Sequence, residues 1–311
     1  CVELAAFALA LEAWRYPGAG GYRALPELHI ACSGLGINTK KQEWLALAEG
    51  NPQLEGALDQ LHDLFKQAPT LGSLIDPNKV KSDLFTADYS QAATLFQEIL
   101  EKHNTFESHE AGIVAQGMAK AASLLADQYH WVITNVPYLS RGKQSETLRN
   151  YCEQYYPEGK NDLATAFLDR CLEYCNHGGT TSIVLPQNWL FLTSYRKFRE
   201  KLLKNDTWNF IARLGEGGFD STAAAGAFVA KIIISRGSDN DKHGRVFGEK
   251  SVSKLIRGVD VSGPRTAAEK SVQLMTAEIK SVEQAKQLEN PDSRVAFEDI
   301  SLQKSLGDYC S

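Results

Sequence analysis

The stretch WVITNVPYLSRG, Trp131 to Gly142, decides how this chain is read. Its first four residues favour a strand, and Asn-Val-Pro-Tyr follows them directly. Pro137 lacks an N–H and fixes its own φ, so a central strand cannot continue through it. Two readings of those four letters stay open: a strand closing in a proline turn, or a strand delivering a catalytic loop. The surrounding pattern bears on the choice.

From Tyr129 onward, strands and helices alternate. The periodicity predicts strands over His130–Thr134, Thr181–Pro186, Trp208–Leu214 and Ala227–Arg236, with helices over Asn161–Cys175 and Ser194–Leu203. Asn161 or Asp162 supplies the cap of the first of these helices. Such an order specifies an α/β layered sheet closed by an antiparallel hairpin. In an open α/β sheet, ligands bind outside the carboxyl ends of the strands, which is where Asn135–Tyr138 fall.

Upstream, residues 1–14 read as a helix and Glu27–Cys32 as a short strand. Residues 41–128 are mostly helical, too long a block for an ordinary crossover, and so are taken as an insertion. Beyond Ser238 the chain turns polar, with a helix expected around Ala267–Leu288 and a break at Pro291. The expected organisation is 1–40, 41–128, 129–240 and 241–311, the last being a linker and the start of a further domain. A first residue of Cys1 and an ending of Asp-Tyr-Cys-Ser read as cuts in a longer polypeptide.

Composition excludes several classes. At 43% hydrophobic and 23% charged, the chain is ordinary for a soluble globular protein, and it holds no apolar run of membrane-spanning length. A formal charge of −5 argues against coating nucleic acid by bulk electrostatics. The basic run Arg196, Lys197, Arg199, Lys201 and Lys204 reads as the solvated face of a helix. Six cysteines without paired spacing read as reduced thiols of a cytoplasmic protein, with no metal site.

Each residue of the loop can be given chemical work. The Asn135 carboxamide oxygen and the Val136 carbonyl can converge on one amine as two acceptors, with Pro137 stiffening the pose. Tyr138 offers a ring for stacking a flat heterocycle. An adenine amine is a poor nucleophile because its lone pair is delocalised; accepting both its hydrogens frees that pair to attack an activated methyl group. No strong base is needed, and the loop contains none.

From about Tyr129 to Arg236 the chain resembles the gamma-type amino-group DNA methyltransferases. Within them it is most similar to the PglX-like adenine methyltransferases of BREX phage-defence systems and to fused type II restriction–modification enzymes. The resemblance rests on WVITNVPYLSRG, on the segment from YYPEGKNDLATAF to the Pro-Gln after TSIVL, and on the closing FIARLGEGGFDSTAAAGAFVAKIIISR. It implies an incomplete Rossmann-like methyltransferase sheet, S-adenosylmethionine as cofactor, and methylation of adenine N6 in DNA. Asn135, Val136, Pro137 and Tyr138 match the catalytic loop, with valine standing where the family has a second proline. Asp162 and Glu3 are implied on the cofactor side, and Tyr138 and Phe167 beside the substrate base. Ser33 and Gly34 replace the family's polar contact to the cofactor adenine. The Gly-rich cofactor loop would lie upstream of Cys1 and the DNA-recognition domain beyond the tail. Double-stranded DNA and defence-system subunits are the implied partners. The isolated chain is expected to be inactive, and either to self-associate through an exposed sheet edge or to be partly disordered near residues 1–40. Protein-glutamine or cytosine-N4 methylation, or a non-catalytic scaffold, are the alternatives.

Overall fold

The computed structural model describes residues 2–18, 20–37, 40–48, 50–79, 106–218, 226–237 and 254–297. The chain divides into two compact units, Cys1–Asp127 and Gln128–Ser311.

Among its described residues the first unit is helical: α1 (Val2–Arg15), α2 (Lys41–Ala46), α3 (Pro52–Phe65), α4 (Ala68–Leu71) and α5 (Phe106–Ala126). Trp44, Leu58, Leu61, Phe65 and Met118 are buried where α2, α3 and α5 meet. The Trp44 indole donates to the Leu58 carbonyl at 2.8 Å, so its polar atom is satisfied inside this core. The strand expected at Glu27–Cys32 is irregular backbone instead. A short β-like stretch needs a partner strand to take its N–H and C=O groups, and none lies among the described residues of this unit. Residues 80–105 of the expected helical block lie outside the described residues.

The second unit is α/β, as its alternation predicts. Its strands are β1 (Tyr129–Asn135), β2 (Cys175–Pro186), β3 (Thr207–Gly215), β4 (Val229–Ser235), β5 (Leu255–Asp260) and β6 (Lys280–Glu283). They form one sheet in the order β1-β2-β4-β3-β5-β6. β1 and β2 are parallel, as are β3 and β5. β4 runs antiparallel to both β2 and β3, so the return strand of the hairpin inserts between them. β5 and β6 extend the sheet past the point where the sequence reading placed its last strand. The helix expected over Ala267–Leu288 resolves into α9 (Ala267–Thr276), strand β6 and α10 (Gln284–Gln287). Pairing of Lys280–Glu283 with β5 overrides the local helical pattern there.

One sheet face is packed by helices. Thr181, Ile183, Leu185, Trp208, Ile211, Ile232 and Ile234 are buried, with α7 (Leu163–Tyr174) against β1 and β2 and α8 (Arg196–Asn205) against β3. Trp189 sits at the centre, its ring 5.5 Å from Phe198 and 5.4 Å from Trp208. Along edge strand β1 the other face is open: Trp131 is 64% and Ile133 77% exposed.

The basic run is not wholly a solvated face. Arg196, Lys197 and Lys204 are exposed, but Arg199 is 0% exposed, and Lys201 pairs with buried Asp169 at 2.9 Å. Burial holds the Asp169 carboxyl up at about 6, against the opposing pull of Lys201. A carboxylate whose folded pKa lies above its unfolded value binds more protons when folded. It therefore adds stability at low pH that is lost as pH rises from about 4 to about 6, by roughly 3 kcal/mol at most. Thermal melts of wild type against Asp169→Asn across this window should show the loss only in wild type; parallel curves would refute the assignment.

Candidate functional site

Asn135 is the last residue of β1 and pairs with Val184 of β2, so sheet register fixes where its side chain emerges. It is exposed, whereas the next residue, Val136, is buried. The Tyr138 hydroxyl donates to Asn135 Oδ1 at 3.1 Å. That bond uses one lone pair of the carboxamide oxygen and leaves the other to accept from a ligand. Tyr138 is half-buried against Leu214, Val229 and Val261. Burial, and then the charge of Asp162, holds its phenol above the usual range, so it stays a donor.

The loop beyond Tyr138 is tied to the start of α7. Leu163 N–H donates to Leu139 O at 2.9 Å and Arg141 N–H to Asn161 O at 3.0 Å. Gln144 Nε2 donates to Leu139 O at 3.0 Å. Asp162 caps α7, accepting from Ala164 N–H at 2.9 Å, and also takes Leu139 N–H at 3.4 Å. One carboxylate thus serves both as helix cap and as strut for the loop. Burial raises its carboxyl, while those two backbone donors act in the opposite direction.

Asn135, Val136, Pro137 and Tyr138 therefore lie in one loop at the carboxyl end of β1, with the Tyr138–Asn135 bond inside it and Asp162 tied to it through Leu139. Phe167 is buried within α7, a core position and not a surface open to a base. Glu3 lies exposed on α1, in the other unit. Sequence reading missed a cavity of about 730 Å³ whose lining includes Gln187, Arg213 and Arg265. Those residues come from three separate segments, which no local pattern joins. Among the described residues, no group of three or more His, Cys, Asp or Glu could hold a metal ion, and no helix is long and apolar enough to cross a membrane.

The mixed α/β sheet, with its parallel β1–β2 edge and an Asn-Val-Pro-Tyr loop at the end of β1, is the arrangement expected of a Rossmann-like methylase fold. The family model described as Eco57I restriction-modification methylase matches residues 1–219, and the chain belongs to that family. Adenine-specific methyltransferase PglX of Lacticaseibacillus casei (strain Zhang) is 28% identical over 195 residues, covering 60% of this chain and 15% of that protein. Adenine-specific methyltransferase BrxX of Escherichia coli O9:H4 (strain HS) is 29% identical over 156 residues, 50% of this chain and 12% of that one. The chain thus spans less than a sixth of the length of either relative. Among solved structures, a nuclease-deletion mutant of the Type ISP restriction-modification enzyme LlaGI, in complex with a DNA substrate mimic, has a TM-score of 0.41 at 14% identity, covering 66% of this chain and 23% of that one.

Proposed function

We propose that this chain is the catalytic segment of an S-adenosylmethionine-dependent enzyme that methylates adenine N6 in DNA, within a restriction–modification or phage-defence system. The observation that carries this reading is the Asn135 carboxamide, held exposed at a strand end by the Tyr138 hydroxyl. The names of the PglX and BrxX relatives support adenine over cytosine or a protein glutamine as acceptor.

Asn135 Oδ1 and the Val136 carbonyl accept the two hydrogens of the adenine amine, which draws its lone pair out of the ring. Valine in place of proline keeps the carbonyl that this role needs. Tyr138 orients the carboxamide through its hydroxyl and presents its ring edge or face to the base. Extruding the base costs a few kcal/mol, and stacking on an aromatic ring returns about 1–3 kcal/mol of that. Double-stranded DNA and other defence-system subunits are the proposed partners.

The donor chemistry fits the cofactor's charged end. The Asp162 carboxylate is an acceptor, suited to a cationic sulfonium or ammonium and not to a phosphate. Asp162 would hold that end. When bound, S-adenosylmethionine supplies an electrophilic methyl group.

Transfer of tritiated methyl to duplex DNA, measured for the chain in its full-length coding context, tests the reading. Label should enter adenine-containing duplexes and be absent from adenine-free duplexes and glutamine peptides; the opposite distribution would overturn the substrate. Tyr138→Phe keeps the ring and removes the hydroxyl. It should lower turnover about three- to tenfold through looser positioning of Asn135, with cofactor affinity unaltered. Equal turnover would show that the 3.1 Å bond has no part in the reaction.

A further inference from the structure

The cavity noted above opens where β2, β3 and β5 finish and β4 begins. One wall is Gly215–Gly217, the glycine-rich turn that the proposed chemistry leaves unused; the facing wall runs from Ser262 to Arg265. The walls are pressed together at their base. Gly215 has φ 65°, and a Cβ there would meet Ser262 Cβ at 2.7 Å. Gly217 has φ 74°, and a Cβ there would collide with the Arg265 carbonyl. Both therefore require glycine. Lys270, 2% exposed, stitches the walls by donating to Leu214 O at 2.6 Å, Val261 O at 3.1 Å and Ser262 O at 3.4 Å. The cavity is thus built and braced.

Its chemistry is mixed in a specific way. Arg213 gives Nη1 to Asp260 at 2.9 Å, while its buried Nε has no partner among the described residues. Asp260 is already engaged by the Ser262 N–H at 3.0 Å and hydroxyl at 2.6 Å. Arg265 is exposed on the opposite wall. Gln187 is 6% exposed, and its Oε1 is buried with no partner among the described residues. A carbonyl oxygen left so is a standing cost, relieved by a ligand N–H after a small turn of the carboxamide about its soft terminal torsion. Phe228 lies at the mouth, half exposed, its carbonyl pinned by the Gln187 N–H at 2.9 Å.

Two guanidinium groups across an opening suit a phosphate, an aromatic ring suits a base face, and an orphan acceptor wants an amine. A nucleotide with an exocyclic amine offers all three. We propose that this cavity seats a second nucleotide of the DNA strand, distinct from the one gripped at Asn135. Its phosphate lies between Arg213 and Arg265 and its base amine faces Gln187. The assignment rests on the DNA-methylation reading and adds a substrate contact to it. Tyr138 packs on Leu214, Val229 and Val261, which adjoin both walls, so a filled cavity also braces the loop that holds Asn135.

The test is a titration of the 311-residue chain with deoxycytidine 5′-monophosphate, followed through labelled methyl groups of Leu214, Val229 and Val261. Deoxycytidine monophosphate should bind about tenfold more tightly than inorganic phosphate or deoxycytidine, and about fivefold more tightly than thymidine monophosphate, which lacks the amine. Arg265→Ala should reduce binding to the level of the nucleoside. Gln187→Leu should erase the base preference, Glu216→Gln should strengthen phosphate binding, and Asn135→Ala should leave the dissociation constant of deoxycytidine monophosphate at its wild-type value. Arg265 and Glu216 are exposed, so their variants decide the phosphate half even if Gln187→Leu fails to fold. Nucleotide binding no tighter than phosphate, indifferent to Arg265, or lost in Asn135→Ala overturns the proposal. Arg265-dependent binding without methyl transfer to DNA would overturn the enzymatic reading instead. Methyl transfer without such binding would overturn the cavity assignment alone.

Discussion

Asn135→Ala is expected to lower methyl transfer to adenine by about 10²–10³, comparable to removing one preorganised polar group aimed at developing charge. The substitution deletes the acceptor that meets the amine and orphans only the Tyr138 hydroxyl, which is half-exposed and can turn to water. The cofactor dissociation constant and the melting temperature should therefore stay at their wild-type values. This division matters. A fall in turnover with unaltered cofactor affinity assigns the residue to the amine, whereas loss of cofactor binding would move it to the other half of the reaction. Normal turnover would end the catalytic reading of the loop, leaving Pro137 as a turn residue after a strand. The adjacent Asp162 behaves differently. It caps α7 and braces Leu139, so its alanine variant should lower both stability and activity and cannot substitute for the Asn135 test.

Arg199→Ala is expected to be the most destabilising single change among the basic residues of α8, at about 3–5 kcal/mol. The guanidinium is fully buried and donates to four backbone carbonyls: Trp189, Leu192 at 2.8 Å, Asp292 at 2.7 Å and Ser293 at 3.1 Å. Asp292 and Ser293 have φ of 56° and 52°, a left-handed pair that ordinary residues adopt at a cost and that these bonds hold in place. Burial pulls the guanidinium down to about 10, still charged at neutral pH. Truncation removes a donor from four carbonyls, of which Leu192 O keeps the Tyr195 N–H, and opens a cavity beside Trp189. Arg196→Ala, three residues earlier, should leave the melting temperature close to that of wild type, because its pair with Glu200 is exposed on the arginine side and screened by solvent. Thermal melts of the two variants side by side check this. Equal melting temperatures would mean that the buried clamp contributes nothing.

These two residues also mark what could be read in advance. The place of Asn135 at a strand end was legible because its signal is local: β-favouring residues, a proline that ends the strand, and a tyrosine three positions on. The strand–helix alternation from Tyr129 to Arg236 was legible for the same reason, and its hairpin is present as β3 and β4. Arg199 was misread because charge and spacing within TSYRKFREKLLKND are those of a solvated helix. What buries it is the segment around Asp292, more than ninety positions away. The cavity was illegible for a related reason: Gln187, Arg213 and Arg265 carry no pattern until three strand ends are brought side by side.

The sequence by itself determined the class of the second unit, the closing hairpin and the position of the loop at the end of β1. Each follows from periodicity, turn chemistry and side-chain type within a short window. Only the tertiary structure decided that Glu27–Cys32 forms no strand, that Lys280–Glu283 does, that Arg199 is interior, and that a braced cavity lies beside the Tyr138 cluster. Strand pairing and burial are settled between residues far apart in the chain, where a backbone group or a charge takes whichever partner the fold brings to it.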